Sequence, residues 1–201
     1  MNMLLDRVPD SLEISGTRFP IKTDFRIWIQ FEKLVTSGEK DNTKLLNQIF
    51  ALVFRQKKPE ICDEAIDQIL WFYKCGKESN NKTGGSKKDV FSYDYDDGFI
   101  VAAFKEQYGI NLNTDDLSWW EFHAYMLALS EDTEFVKIMG YRAVEISSKM
   151  SASQRNFYQR MKAHYKLPIA KERQEEYRRI EDALLNGDSI EEFLHGQEQR
   201  V

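Results

Sequence analysis

The sequence predicts a mainly α protein: an N-terminal β-hairpin followed by about eight helical segments that form one or more helical bundles. Three observations predict this class. Apolar residues recur at i, i+3 and i+4 through most of the chain, capping boxes led by serine precede two of these stretches, and no strand–helix–strand alternation is present. With 201 residues, 42% of them hydrophobic, the chain is large enough to bury a core.

Residues 1–75 predict a hairpin and three helices. Alternating apolar residues flank Ser15-Gly16, a pair that suits a turn with positive φ, and Pro20 places the second strand at an edge because proline has no N–H donor. Thr23 or Asp24 is expected to cap the first helix. The helices are expected at about 25–35, 42–54 and 59–73, with Pro59 in the first turn of the third and Ile61 on its buried face.

A polar segment, residues 76–90, is predicted to be a linker or loop. No apolar residue occurs from Gly76 to Asp89, so this segment has nothing to bury against a core. Its glycines and lysines do not form a phosphate-binding loop, because Gly85-Ser86-Lys87-Lys88 lacks the required order of glycine, lysine and serine or threonine.

Residues 91–167 predict an aromatic-rich helical subdomain, and residues 168–201 predict charged C-terminal helices. Gly109 is expected to end one helix, and the capping box of Ser118 and Glu121 predicts another from Trp119 to about Leu129. A second capping box, Ser151 with Gln154, opens a helix that runs to about Leu167. Pro168 is expected to start a long C-terminal helix, Gly187 to end it, and Asp188 to cap a short final turn.

The net charge of −5 conceals an uneven distribution. Residues 91–135 carry ten acidic side chains and one lysine, a net charge of −9, whereas residues 136–179 carry eleven basic and four acidic side chains, a net charge of +7. Two explanations stay open. Either the two blocks fold against each other within one molecule, or the acidic block of one copy docks on the basic block of the next.

The candidate partner-binding residues come from these blocks and from the paired tryptophans. On the helix after Ser151, three basic residues share one side, and Phe157, Tyr158, Met161 and Tyr165 cluster on the opposite side. Adjacent helical residues differ by 100°, so one of the two tryptophans is expected to line a partner groove. The candidates are Arg155, Lys162 and Lys166, with Asp115 and Asp116 opposite, and Trp119 and Trp120.

No catalytic, cofactor or metal site is predicted. His123, His164 and His195 have no metal-ligand spacing to one another, and Cys62 and Cys75 are expected to be reduced thiols. The run Asp94, Asp96, Asp97 lacks the EF-hand register; it suits a helix N-terminus, and the alternative is the magnesium site of a metal-dependent nuclease. The basic side of the helix after Ser151 could track phosphates, but a pI of 5.4 disfavours nucleic acid as a partner.

Neither a membrane partner nor secretion is expected. The longest apolar runs, of which Phe99 to Phe104 is one, have six residues, whereas a bilayer span needs about 20. Asp6 and Arg7 interrupt the apolar N-terminus, which therefore lacks the pattern of a signal peptide. We expect a cytoplasmic protein.

Several sequence strings resemble a known family. The strongest is the aromatic and acidic string from Phe91 to Asp97, and the hairpin from Gly16 to Ile21 also contributes. The other strings are Thr23-Asp24-Phe25-Arg26, Gln107-Tyr108-Gly109-Ile110-Asn111-Leu112, Trp119-Trp120, Asp132-Thr133 and Ile138-Met139-Gly140-Tyr141-Arg142. Over nearly the whole chain to about Leu167, the sequence is similar to the gene-product-fifteen family of tailed phages and prophages.

The resemblance implies a role in tail morphogenesis, in the bacterial host cytoplasm. Members of this family are often regarded as tail assembly chaperones, which would keep the hydrophobic helices of the tape-measure protein soluble. The implied partners are the tape-measure protein and other tail proteins. The charge blocks, rather than the resemblance, suggest a second copy of the chain as a further partner. The resemblance implies no enzymatic activity and no cofactor. A structural tail component, such as a connector or terminator, is the alternative, and the nuclease is the third hypothesis.

Overall fold

The computed structural model describes residues 2–37, 39–77 and 90–168, and within them it confirms the mainly α class. A two-stranded hairpin precedes seven helices in this described part of the chain. Residues 78–89 of the predicted linker, and nearly all of the predicted C-terminal helices, lie outside it. The elements are β1 (Ser11–Ile14), β2 (Thr17–Pro20), α1 (Phe25–Val35), α2 (Asn42–Val53), α3 (Asp63–Tyr73), α4 (Asp97–Tyr108), α5 (Trp119–Leu127), α6 (Glu134–Ala143) and α7 (Ala152–His164).

The hairpin forms as predicted, with the turn at Ser15 and Gly16, whose φ angles are 49° and 72°. The strands are antiparallel, and the side chains of Leu12 and Phe19, which face each other in the register, are buried. The backbone N–H and the hydroxyl of Ser15 donate to the carboxylate of Glu64, at 3.0 and 2.9 Å. These bonds fix the tip of the hairpin to the first turn of α3.

The predicted helix ends are mostly right, and the start of α3 is wrong. Asp24 caps α1 by accepting a bond from the Arg26 backbone N–H at 2.8 Å. The third helix was expected at Pro59, but it begins at Asp63, and Ile61 lies outside it with 42% of its surface exposed. Asp63 and Glu64 occupy the first turn, where the helix dipole favours negative charge.

One hydrophobic core joins residues 1–75 to residues 91–135. The ring of Phe25 on α1 stacks on that of Phe122 on α5, with centroids 4.6 Å apart. Next to it, the ring of Tyr73 at the end of α3 stacks on Trp119, with centroids 5.4 Å apart. The two sequence halves therefore contribute side chains to the same interior.

The second half contains one helix that the sequence pattern did not delimit, α6. Thr133 caps it, and its residues Phe135 and Ile138 are completely buried. The capping boxes that start α5 and α7 form as predicted, and Gly109 ends α4 with a φ of 72°. Helix α7 packs against α6 and contributes no buried residue, so it is the outermost helix of the described fold.

Candidate protein-binding surface

The two tryptophans proposed as groove residues lie in the core instead. Trp119 is 2% exposed and Trp120 is fully buried. Their indole N–H groups donate to the backbone carbonyls of Tyr73 and Phe72, at 2.8 and 2.9 Å. Since both indoles are enclosed and hydrogen-bonded, neither can line a partner groove in this fold. The expectation that one of them does so is wrong.

Two of the three basic candidates bind carbonyl groups of the same chain. The Nζ atom of Lys162 donates to the carbonyls of Arg142 and Val144, both at 2.7 Å, and so closes the C-terminal end of α6. Arg155 donates from NH1 to the carbonyl of Met150 at 2.7 Å. Lys166 is exposed. Of the predicted basic stripe, Lys166 is the residue most open to a partner.

The acidic candidates, Asp115 and Asp116, are exposed, but they lie in a different part of the fold from the basic candidates on and after α7. Asp115 accepts a bond from the backbone N–H of Asn111 at 2.9 Å, and this bond is the main reason that its pKa is lowered. The loop that holds Asp115 and Asp116 is tied to α1, because the guanidinium of Arg26 donates to the Leu112 carbonyl. Helix α7, by contrast, packs on α6.

The acidic and basic blocks meet inside the molecule at one ion pair. NH1 and NH2 of Arg142 donate to the two carboxylate oxygens of Asp96, at 2.6 and 2.8 Å. The same carboxylate accepts a bond from the Ser92 backbone N–H at 2.9 Å. The Asp96 side chain is 1% exposed and that of Arg142 is 10% exposed. The acidic block and the basic block are therefore paired within one molecule at Asp96 and Arg142.

This pairing weakens the nuclease hypothesis. The carboxylate of Asp96 is enclosed and already holds three hydrogen bonds, and Asp94 pairs with Lys33 on the surface. Asp97 is exposed in the first turn of α4, where the helix dipole favours it. Across the described ranges, no three potential metal-ligand side chains come together. The acidic residues Asp96 and Asp97 therefore form the N-terminus of α4.

Four half-exposed aromatic rings form a surface across α4, α6 and α7, which we call the aromatic belt. It consists of Phe99, Tyr165, Tyr141 and Phe157, in that spatial order. Consecutive ring centroids lie 6.4, 6.0 and 5.9 Å apart. Phe99 is 37% exposed and Phe157 is 38% exposed. Apolar surface shared by three helices in this way is typical of a site where another polypeptide binds.

One acidic residue is bonded to the belt: Glu134 accepts a bond from the Tyr165 hydroxyl at 3.1 Å, and this bond is the main reason that the pKa of Tyr165 is raised. The basic residues Arg160, on α7, and Lys166, just after it, are exposed. The sequence had grouped Phe157 and Tyr165 on one side of a helix but gave no sign that this side would stay half-exposed.

The structure therefore defines, within the described residues, a mainly α protein with one core and a half-exposed aromatic surface across α4, α6 and α7. The family model described as "Bacteriophage Gp15 protein" matches residues 4–167, and the chain belongs to this family. It is a phage protein, as the resemblance indicated. No curated protein and no solved structure matches the chain. Within the described residues, no helix is both long and apolar enough to cross a bilayer.

Proposed function

We propose that this protein is a tail assembly chaperone or accessory protein, which binds the tape-measure protein in the host cytoplasm during tail morphogenesis. Family membership over residues 4–167 supports a role in phage morphogenesis. The proposal further holds that the protein acts by binding and catalyses no reaction. Its partners are the tape-measure protein, other tail proteins and a second copy of the chain.

The observation that carries the binding role is the aromatic belt. A tape-measure protein exposes apolar helical faces until tube subunits surround it, and such faces bind where apolar side chains stay accessible on a rigid support. Phe157 and Phe99 satisfy this requirement, since both rings are more than a third exposed while their helices pack against α6. The exposed cations of this region, Arg160 and Lys166, favour a partner that carries acidic residues.

Co-expression with the tape-measure protein tests the proposal. We expect the tape-measure protein to become soluble with the wild-type chain and to remain insoluble with Phe157→Ser, because the serine removes the apolar contact. Leu127→Ser is the matched control: Leu127 is 69% exposed at the end of α5, outside the belt. Equal solubility with both variants would remove the belt from the proposal, and insoluble tape-measure protein with the wild type would remove the chaperone role.

Docking between copies is tested separately by salt. An assembly built on the acidic and basic blocks should dissociate when the ionic strength rises from about 0.1 M to about 1 M, since the Debye length falls from about 10 Å to about 3 Å. Sedimentation velocity measures this change. A monomer under both conditions, with and without the tape-measure protein, would rule out charge-driven docking.

The alternative function is that of a connector or terminator of the tail. The aromatic belt supports this alternative too, because a structural tail protein also needs an accessible binding surface. Mass spectrometry of purified particles separates the two functions. An assembly chaperone should be absent from finished particles, whereas a connector or terminator should be present in stoichiometric amounts.

A further inference from the structure

One edge of the N-terminal hairpin is covered and the other is open. The carbonyl of Pro20 on β2 accepts a bond from the Arg55 backbone N–H at 3.1 Å. The backbone N–H of Lys22, just after β2, donates to the Val53 carbonyl at 2.8 Å. The end of α2 and the residues after it therefore cover the outer edge of β2. Within the described residues, no strand pairs with the outer edge of β1, since the sheet has two strands only.

The alternation of an antiparallel pair fixes which groups of β1 face the open edge. Ile21 donates its N–H to the Asp10 carbonyl at 2.9 Å, so these two residues form a hydrogen-bonded pair. Such pairs recur at every second residue, so Ser11 and Glu13 belong to the intervening pairs, whose N–H and C=O groups point away from β2. Across the described ranges, these outward groups of Ser11 and Glu13 take part in no hydrogen bond.

The open edge of β1 lies along a cleft of about 440 Å³. One wall is the segment before the strand, residues 7–9, and the other is α3, which contributes Gln68 and Trp71. Leu12 on the buried face of β1 and Glu13 on its exposed face both line the cleft, so the cleft follows the edge of the strand. Its volume lies in the range of about 300–1,000 Å³ that is typical of ligand-binding clefts.

The free backbone groups identify an extended polypeptide as the occupant. A third strand pairs its own N–H and C=O groups with those of Ser11 and Glu13, which is the mode of β-strand addition in peptide-binding domains. The walls at α3 and at residues 7–9 favour a single narrow strand over a second copy of this chain. The hairpin of a second copy carries the same walls, and these must pass each other before two β1 strands reach a spacing of about 4.8 Å.

The charge of Glu13 sets the sign of the residue that pairs with it. Glu13 is exposed and forms no ion pair within the described residues, although Arg18 lies opposite it on β2. A residue of an added strand would lie about 5 Å from Glu13 and, one strand further, about 10 Å from Arg18. The nearer charge dominates, so a basic residue is favoured opposite Glu13. Arg7 and Asp10, which also line the cleft, carry opposite charges.

The opposite face of the added strand is expected to be apolar. Successive residues point to alternate faces, so the neighbours of the basic residue point to the side where Leu12 is buried and α3 packs on β1. Trp71 of α3 lines the cleft and is only half-buried. An apolar residue at this position removes indole surface from water. The occupant that fits is an extended segment in which basic or polar residues alternate with apolar ones.

We propose that the open edge of β1 binds such a segment of another polypeptide, which adds a third strand to the hairpin beside Ser11 and Glu13. Its basic residue lies opposite Glu13, and an apolar neighbour faces Trp71. The elements that form this surface differ from those of the aromatic belt, which accepts helices in the proposed function. The inference therefore goes beyond that function and can hold or fail without it.

Amide hydrogen exchange of the full-length chain, measured by NMR, tests the pairing. The probe is the end-blocked peptide Thr-Val-Lys-Val-Thr at saturating concentration. The amides of Ser11 and Glu13 should exchange rapidly in the free chain and at least about tenfold more slowly with the peptide. Unchanged exchange with the peptide would overturn the proposal. Slow exchange of both amides in the free chain would also overturn it, because the edge would then be occupied by the same chain or by a second copy.

Two methylated peptides separate backbone pairing from side-chain contact. Methylation of the lysine backbone nitrogen removes an N–H that points at β1, whereas methylation of the first valine nitrogen removes one that points away. The first peptide should give no protection of Ser11 and Glu13, and the second should protect them as the unmodified peptide does. Equal protection by both would contradict strand addition. Tighter binding of Thr-Val-Glu-Val-Thr would contradict the assigned charge.

Glu13→Pro and Glu13→Thr are a matched pair of variants of the protein. Both remove the carboxylate, but only proline removes the outward N–H, which β2 does not use, so the hairpin is retained. Affinity for the unmodified peptide, measured by calorimetric titration, should be at least about tenfold lower for Glu13→Pro than for Glu13→Thr. Equal affinities would rule out pairing at this residue. If circular dichroism shows that Glu13→Pro does not fold, the methylated peptides decide the question on the wild-type chain.

Discussion

The guanidinium of Arg142 binds both carboxylate oxygens of Asp96 and, in addition, the backbone carbonyls of Val90 and Tyr165. One side chain of α6 therefore joins Val90, the N-terminal end of α4 and the C-terminal end of α7. The residues that contribute these groups are separated by up to 75 positions in the sequence. This ion pair holds together the part of the fold that carries the aromatic belt.

Replacing Arg142 with methionine should lower the free energy of unfolding by about 3–5 kcal/mol, because it leaves the buried carboxylate of Asp96 without its cation. Urea denaturation followed by circular dichroism measures the change. Lys33→Met is the matched control, since Lys33 and Asp94 form an exposed pair whose loss should cost at most about 1 kcal/mol. A similar small loss for both variants would show that the Asp96 pair is not structural.

Replacing Trp120 with phenylalanine should destabilise the fold by about 1–3 kcal/mol, because the smaller ring leaves a gap in the core and the carbonyl of Phe72 loses the indole donor, keeping only the backbone N–H of Cys75. The midpoint of denaturant unfolding measures the loss. Trp71→Phe provides the comparison: Trp71 packs edge-on against Trp120, but it is only half-buried. If Trp120→Phe left stability unchanged and lowered partner binding, the result would support the sequence-based prediction that this tryptophan lines a partner groove.

Gly109→Ala and Gly140→Ala should shift stability in opposite directions. Gly109 ends α4 at a φ of 72°, so alanine there should cost about 1 kcal/mol through backbone strain, although its Cβ meets no atom within 4 Å. Gly140 lies inside α6, also with open space around its Cβ, and alanine there should stabilise by about 0.5–1 kcal/mol. Thermal unfolding of both variants checks the signs; a stabilising Gly109→Ala would contradict the helix end at Gly109, and a destabilising Gly140→Ala would contradict the open space around Gly140.

The stability of the fold should fall in mild acid through His123. This ring packs against Trp119, and burial, the largest cause, lowers its pKa below the ordinary value of 6.5. Below pH 6.5 the unfolded chain binds a proton that the folded chain resists, so the contribution of His123 is present above pH 6.5. It is lost as the pH falls through the lowered folded pKa.

His123→Phe should reduce the loss of unfolding free energy between pH 6.5 and pH 5. His164→Phe, at an exposed position, should leave that loss unchanged. The free energy of unfolding, measured by urea titration from pH 7.5 down to pH 5, makes the comparison. Parallel curves for the wild type and His123→Phe would mean that another group causes the loss.

Local chemistry made part of the fold predictable. The capping boxes at Ser118 and Ser151 and the glycine after α4 act within a few residues, so sequence alone located those ends. Helix α6 was missed because its N-cap, Thr133, forms no capping box and because it contains Gly140, which lowers helix propensity.

The candidate site was harder to predict, because burial depends on distant residues. Which face of α5 is buried depends on the carbonyls of Phe72 and Tyr73, more than 45 positions away. Lys162 illustrates the same limit: a lysine is exposed by default, but here it reaches the carbonyls at the end of α6. The belt residues were visible as aromatic side chains, but their half-exposed state was not.

The stacking of Phe25 on Phe122 has a consequence for synthesis on the ribosome. The N-terminal half emerges with the ring of Phe25 unshielded, and its stacking partner Phe122 follows after about 100 residues, a delay of roughly 5–20 s at about 5–20 residues per second. During that interval the nascent chain exposes apolar surface of the kind that folding chaperones bind. Infection at high temperature should therefore limit the yield of this protein before it limits the stability of the finished molecule.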